Sequence, residues 1–198
     1  MKRIISVLFA FCTVTSVFAQ EFDKNIATAK SAYASGNLED ARFAMQQMLN
    51  DIDIIVGREI LKLLPSKLEA LSANSKNDNV TANTGLAGVI IHRDYGTGEK
   101  TSDLEIMSNS PLIASINAIL AIPFIGNSSD GTQKVVKVQG YKGVLQKNTD
   151  TETNKTNYTL QIPLNSTLLT LNAHDSNEAE VLKMANAIPV AQIVKLVQ

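Results

Sequence analysis

The sequence has one cysteine, Cys12, no tryptophan, and only two histidines, His92 and His174. A single thiol excludes an internal disulfide, and it leaves too few sulfur ligands for a structural zinc or iron–sulfur centre. An excess of positive charge is also missing: eighteen Lys and Arg stand against nineteen Asp and Glu, for a net charge of −1. That balance gives no electrostatic footprint for nucleic acid, which needs a basic surface to displace counterions. His-Glu-x-x-His, Gly-x-Ser-x-Gly and a phosphate-binding P-loop are all absent. What is present is a chain of 198 residues with 44% hydrophobic residues, enough for one ordinary core.

The first nineteen residues read as an address. Lys2 and Arg3 form a basic start, Ile4 to Val17 is an apolar run, and Val17-Phe18-Ala19 supplies a cleavage site before Gln20. This pattern predicts a cleaved secretory signal peptide, and hence a periplasmic or secreted protein beginning at Gln20. Cleavage would remove Cys12 and take Lys2 and Arg3 from the basic total, moving the net charge to −3. With no thiol left, the exported chain must be held by its hydrophobic core alone.

Residues 20–65 are expected to form a helical hairpin. Ile26, Ala29 and Tyr33 recur at helical spacing, Ser35-Gly36-Asn37 breaks the pattern, and Leu38, Ala41, Met45, Met48, Leu49 and Ile52 resume it. Gly36 suits a left-handed C-cap, Gly57 is a weak point worth about 1 kcal/mol against alanine, and Pro65 ends the second helix. The run Ala29-x-x-x-Tyr33-x-x-Gly36-Asn37-Leu38-x-x-Ala41 resembles part of a tetratricopeptide repeat. One such unit is too little for a solenoid, so an αα-hairpin packed on the domain that follows is expected.

Residues 66–84 are polar and read as a linker, after which the period changes to two over residues 85–198. Val89, Ile91 and Arg93 alternate with Ile90, His92 and Asp94; Gly96-Thr97-Gly98 turns the chain; Leu104 and Ile106 alternate with Asp103 and Glu105. An apolar helix follows Pro111 and is stopped by Pro123 and Gly126. Its length of about 15 residues falls short of the ~20 needed to span a bilayer, so an integral membrane protein is not expected. A strand at Val136–Val144, bent at Gly140 and Gly143, then precedes strands at Tyr158–Leu164 and Leu169–Ala173 that turn at Asn165-Ser166. A closing helix capped by Ser176 ends the chain. The expected class is α+β: a hairpin of helices, then an antiparallel sheet in the order ββαβββα with helices packed on one side.

Several short motifs in this region carry a resemblance. They are Pro65 after a helix, Glu105-Ile106-x-Ser108-Asn109-Ser110-Pro111 with its apolar helix, Gly140-Tyr141-Lys142-Gly143, and a closing helix with Ile188. Together they resemble uncharacterised exported bacterial proteins with a PsbP-like α+β fold, over residues 64–198. The resemblance implies a fold and an envelope location, and no activity.

One constellation invites chemistry. Pairing Ile91 with Leu104 and Val89 with Ile106 would set His92 opposite Asp103 and Ile90 opposite Glu105, with His92, Asp94, Asp103 and Glu105 on one outer face. A histidine among carboxylates can act as a base or a metal ligand. A solvated sheet face with a cross-strand charge pair worth roughly 0.2–1 kcal/mol accounts for the same residues. His174, just before Ser176, reads as a loop residue. Five Asn-x-Ser/Thr triplets, at Asn79, Asn127, Asn154, Asn157 and Asn165, would be glycan acceptors on surface loops in a eukaryotic secretory protein, while the resemblance to exported bacterial proteins implies Asn-rich turns. The functional expectation is an exported, non-enzymatic binding or accessory protein that contacts another envelope protein, without a cofactor or catalytic residues. Two alternatives stand beside it: a carrier of a small apolar ligand between the sheet and the 111–125 helix, and a hydrolase or metal-dependent enzyme built on His92, Asp103 and Glu105.

Overall fold

The computed structural model describes residues 13–82, 88–122, 128 and 131–197, with side chains from residue 21 onward. The chain forms two compact units, Met1–Asp53 and Ile54–Gln198. Residues 1–12 of the expected signal peptide, Pro123 and Gly126 of the expected helix stop, and Asn127 lie outside the described residues.

The first unit is the expected hairpin. Helix α1 (Thr13–Ala34) runs through the Ala19–Gln20 junction, and α2 (Leu38–Leu63) returns. Gly36, at φ 78°, closes α1 as expected. Its N–H donates to Tyr33 O at 3.1 Å, and the Asn37 N–H donates to Ala32 O at 2.9 Å, the six-residue bond of a Schellman motif. Asn37 then opens α2, its Oδ1 accepting the Asp40 N–H at 3.3 Å. The side chains buried between the helices are small: Ala32, Ala41 and Ala44.

The second unit is the expected α+β domain, built on seven antiparallel strands. They are β3 (Asn79–Ala82), β4 (Val89–Gly96), β5 (Thr101–Ser108), β6 (Gln133–Val138), β7 (Tyr141–Thr149), β8 (Thr156–Leu164) and β9 (Thr167–Ala173). They lie side by side in the order β3-β4-β5-β9-β8-β7-β6. Period-two alternation gives this sheet an apolar inner face, where Ile91, Leu104, Ile106, Leu160, Ile162, Leu169 and Leu171 are fully buried. Helices α4 (Glu178–Ala187) and α5 (Val190–Leu196) cover that face through Val181, Met184, Ile188 and Ile193. Helix α3 (Ile113–Ala121) covers part of the other face instead, Ile116 packing with Val144 and Leu168.

Three segments differ from the sequence expectation. The stretch 66–84 is no bare linker. It holds a small antiparallel pair, β1 (Lys67–Leu68) and β2 (Leu71–Ser72), then a 3₁₀ turn at Ser75–Asn77 and the edge strand β3. Its few apolar residues are spent inward, with Leu68 fully buried and Val80 packed on the core. The strand expected from Val136 to Val144 is a hairpin of two, β6 and β7, because Gln139 and Gly140 both take positive φ, 50° and 90°. That is the backbone of a two-residue hairpin turn, which the Gln-Gly pair does not advertise as Asn-Gly would. Gln139 is held there by its Nε2, which donates to Asn186 O at 2.9 Å and Ile188 O at 2.6 Å. The cap of α4 falls one residue beyond Ser176: Asn177 Oδ1 accepts the Glu180 N–H at 3.1 Å, in a capping box with the Glu180 carboxylate.

The boundary between units also moves from Pro65 to Asp53 and Ile54. The last turns of α2 belong to the sheet's core, Ile60 fully buried and Leu64 nearly so. Gly57 is what lets the helix come that close. A Cβ at Gly57 would stand 2.6 Å from Val80 Cγ1 and 2.6 Å from Val89 Cγ2. Helix propensity alone favours Gly57→Ala by about 1 kcal/mol. The contact geometry opposes this with an overpacking cost of roughly 1–3 kcal/mol, for a net loss of up to about 2 kcal/mol. Urea unfolding of Gly57→Ala checks this, and a stabilised variant would refute the close approach.

Candidate functional site

The outer face of the sheet is polar around His92, Asp94, Asp103 and Glu105, with Ile90 and Met107 half-buried beside them. His92 stands in register opposite Glu105, and Asp94 opposite Asp103. On the next strands Thr170 follows Glu105 and Asn172 follows Asp103. The expected pairing is therefore displaced by two residues: Ile91 faces Ile106 and not Leu104, and Ile90 faces Met107 and not Glu105. The cause is the connection. Gly96 and Gly98 both take φ 80°, and Gly96 pairs with Thr101, so four residues loop out rather than a tight turn. A two-residue slip leaves face parity unchanged. His92, Asp94, Asp103 and Glu105 accordingly share the outer face, while the partner of each changes.

Two aspartates set directly opposite each other repel unless their charge is compensated. Each is supplied with an amide and an imidazole. Asp94 accepts from Asn77 Nδ2 at 2.8 Å through Oδ2, and from His92 Nε2 at 2.8 Å through Oδ1. Asp103 accepts from Asn172 Nδ2 at 2.9 Å through Oδ2, and His174 Nε2 lies 3.8 Å from its Oδ1. Thr159 Oγ1 extends the chain, donating to Asn172 Oδ1 at 2.9 Å. Both histidines of the sequence thus stand beside this one carboxylate pair. The Asn77 bond holds the Asp94 carboxyl below the ordinary carboxylate range, partial burial opposes it, and His92 adds to it.

His174 was expected in a loop. It arrives here because β9 lies beside β5, with Ala173 opposite Ser102, and the His174 N–H continues the ladder to Thr101 O at 2.8 Å. Neither that adjacency nor the return of Asn77 through the 66–84 segment is written in local periodicity. The only trace in the sequence is the alternation that points Asn172 outward between Leu171 and Ala173.

The carboxylates form one wall of an open cleft of about 470 Å³, bounded also by Asn74, Gly96, Thr101 and His174. Its chemistry is that of two carboxylates, side-chain amides and hydroxyls, and the His174 imidazole. Ser102, at its edge, is buried and its Oγ donates to Asn172 O at 2.5 Å, so its proton is committed to structure. Among the described residues no group of three His, Cys, Asp or Glu is placed to hold a metal ion. Glu105 stands opposite His92 in register, and of the trio His92, Asp103 and Glu105 only Asp103 lines the cleft.

The hairpin unit holds a second candidate, of opposite character. Ile26, Ala29, Tyr33, Met45 and Met48, with Lys30, line a groove of about 390 Å³ along α1 and α2. Around it Tyr33 is 71% exposed and Leu38 63%, while Met45, Leu49 and Ile52 are each close to half exposed. No described helix is long and apolar enough to cross a membrane. No family model, curated protein or solved structure matches the chain.

The Asp94 environment carries a pH signature. A carboxyl whose pKa is lower in the folded than in the unfolded chain adds stability above the unfolded value, and that stability disappears as pH falls through the folded value. Below about pH 4, where an unfolded aspartate protonates, the wild type should therefore lose stability faster than Asp94→Asn. Urea midpoints between pH 2.5 and 6 for both proteins check this. Parallel curves would show that the Asn77 and His92 bonds do not hold in solution.

Proposed function

We propose that this is an exported, non-enzymatic binding or accessory protein, whose helical hairpin docks on a partner in the cell envelope. One observation carries the reading. The hairpin buries alanines between its own helices and leaves its large apolar side chains in water. Isolated apolar residues on a surface need no explanation, but a contiguous stripe along two helices does. Of the ten large hydrophobic residues exposed in the described chain, six lie on this unit: Tyr33, Leu38, Phe43, Met45, Leu49 and Ile52. The envelope location rests on the Lys2-Arg3 start, the apolar run and the Ala19–Gln20 junction. Cleavage there keeps Phe22, Ile26, Ala29 and Tyr33, and therefore the α1 side of the groove. The absence of an enzymatic role in this reading rests on the polar cleft, whose two carboxylates and Ser102 hydroxyl are engaged with neighbours in the fold.

The test is capture from envelope extracts with the exported protein as bait, comparing wild type with a Met45→Glu/Leu49→Glu variant. Both positions are about half exposed, so the variant should keep its helix content. Proteins held by the wild type should be lost from the variant by tenfold or more. Equal capture by both would move recognition away from the hairpin and onto the polar sheet face.

A further inference from the structure

We infer that the occupant of the hairpin groove is a second copy of the same hairpin, so that two chains join in a four-helix bundle and present their α+β domains as a pair. This rests on the docking reading above and names its partner. The spacing comes first. On α1 the stripe is Phe22, Ile26, Ala29, Tyr33, at intervals of four, three and four residues. On α2 it is Leu38, Met45, Leu49, Ile52, at seven, four and three. These are the a and d intervals of a helix that packs its seam into another helix at a shallow angle. A seam of that kind fits a helix better than it fits a sheet face or an irregular loop.

Complementarity points to self. The second unit has its inner face covered by its own helices. The large exposed hydrophobics it contributes are Ile55 on α2, Leu112 and Ile122 at the two ends of α3, and Leu196 on α5. Among the described residues, six of the ten large exposed hydrophobics lie on the hairpin, and a two-fold axis pairs such a patch with its copy. The charges are mixed. Lys30 lines the groove on α1, and by helical spacing Arg42, Glu39 and Asp53 flank the α2 stripe on one edge. Such rim charges guide register more than they add affinity.

The area is modest. The exposed stripe side chains are only partly in water, from 45% for Ile52 to 71% for Tyr33, so a two-fold pairing falls at the low end of specific interfaces, where association is weak and concentration-dependent. Area does not by itself set affinity, which makes dilution the decisive variable.

The experiment is the solution mass of the exported protein by light scattering across a dilution series, for wild type and two variants. Met45→Glu/Leu49→Glu places charge in the seam. Phe43→Glu places it on the far side of α2, since Phe43 falls outside the a and d positions. The expected result is a dimer for wild type and for Phe43→Glu at tens of micromolar, and a monomer of unchanged helix content for Met45→Glu/Leu49→Glu. A wild type that stays monomeric at that concentration overturns the inference, as does a dimer that survives the seam charges. Failure here separates from failure of the docking reading. A monomeric wild type that still captures an envelope protein, and loses it in the seam variant, refutes self-pairing and leaves docking standing.

Discussion

The Arg93 guanidinium sits on the inner, apolar side of the sheet, and much of the second unit is arranged to receive it. A charge there would be prohibitively costly alone. It is met by a fork: Nε donates to Asp78 Oδ1 at 2.8 Å and Nη2 to Asp78 Oδ2 at 2.6 Å, with both side chains nearly buried. Its remaining nitrogen, Nη1, donates to Leu64 O at 3.1 Å, one of the carbonyls that the end of α2 leaves without a helical partner. Tyr95 repeats the contact one turn of the strand away, its hydroxyl donating to Pro65 O at 3.1 Å. Asp78 and the burial of the site act oppositely on the guanidinium, and Asp78 prevails, keeping Arg93 charged. Helix, edge strand and sheet are joined at this one residue.

From that clamp follows the order of the 66–84 segment. Asp78 is tied to Arg93 on the inner face of β4, and Asn77 to Asp94 on the outer face. The backbone agrees, with the Asn74 N–H donating to Asp94 O at 2.8 Å and Ala73 bridging Tyr95. A polar stretch with few large side chains is thereby held on both sides of one strand. The same strand presents its clamp inward and its carboxylate site outward on alternate residues, so the cleft and the end of α2 share one scaffold.

The parts of this architecture legible in the sequence are those governed by local period. The break at Gly36, the end of α2 near Pro65, the alternation in β4, β5, β8 and β9, and the turn at Asn165 all follow from residue spacing and backbone preference. What was not legible depends on which distant segments meet. Residues 66–84 look like a linker because their partners, Arg93 and Tyr95, are supplied by another strand. Gly57 looks like a defect in a helix until the sheet beneath it is known. His174 is the loop residue it was expected to be, but its place beside Asp103 is hidden until β9 is set beside β5. In the site, the set of outward residues was readable from parity, but their pairing was not, because the Gly96–Lys100 connection consumes two more residues than a tight turn.

The two units solve the burial problem differently. The α+β domain closes its own core, and the hairpin, with alanines between its helices, does not. The central claim is that the hairpin's apolar stripe is covered by the same stripe of a second copy, and its methionines provide direct reporters. Met45 and Met48 line the groove and Met184 lies in the domain core. Methionine-methyl NMR with a soluble paramagnetic agent, recorded over a concentration series, reads all three at once. The account predicts that the Met45 and Met48 methyls are accessible at high dilution and become protected as the protein concentrates, while Met184 is protected throughout. Met45 and Met48 methyls that stay fully accessible at every concentration would contradict it.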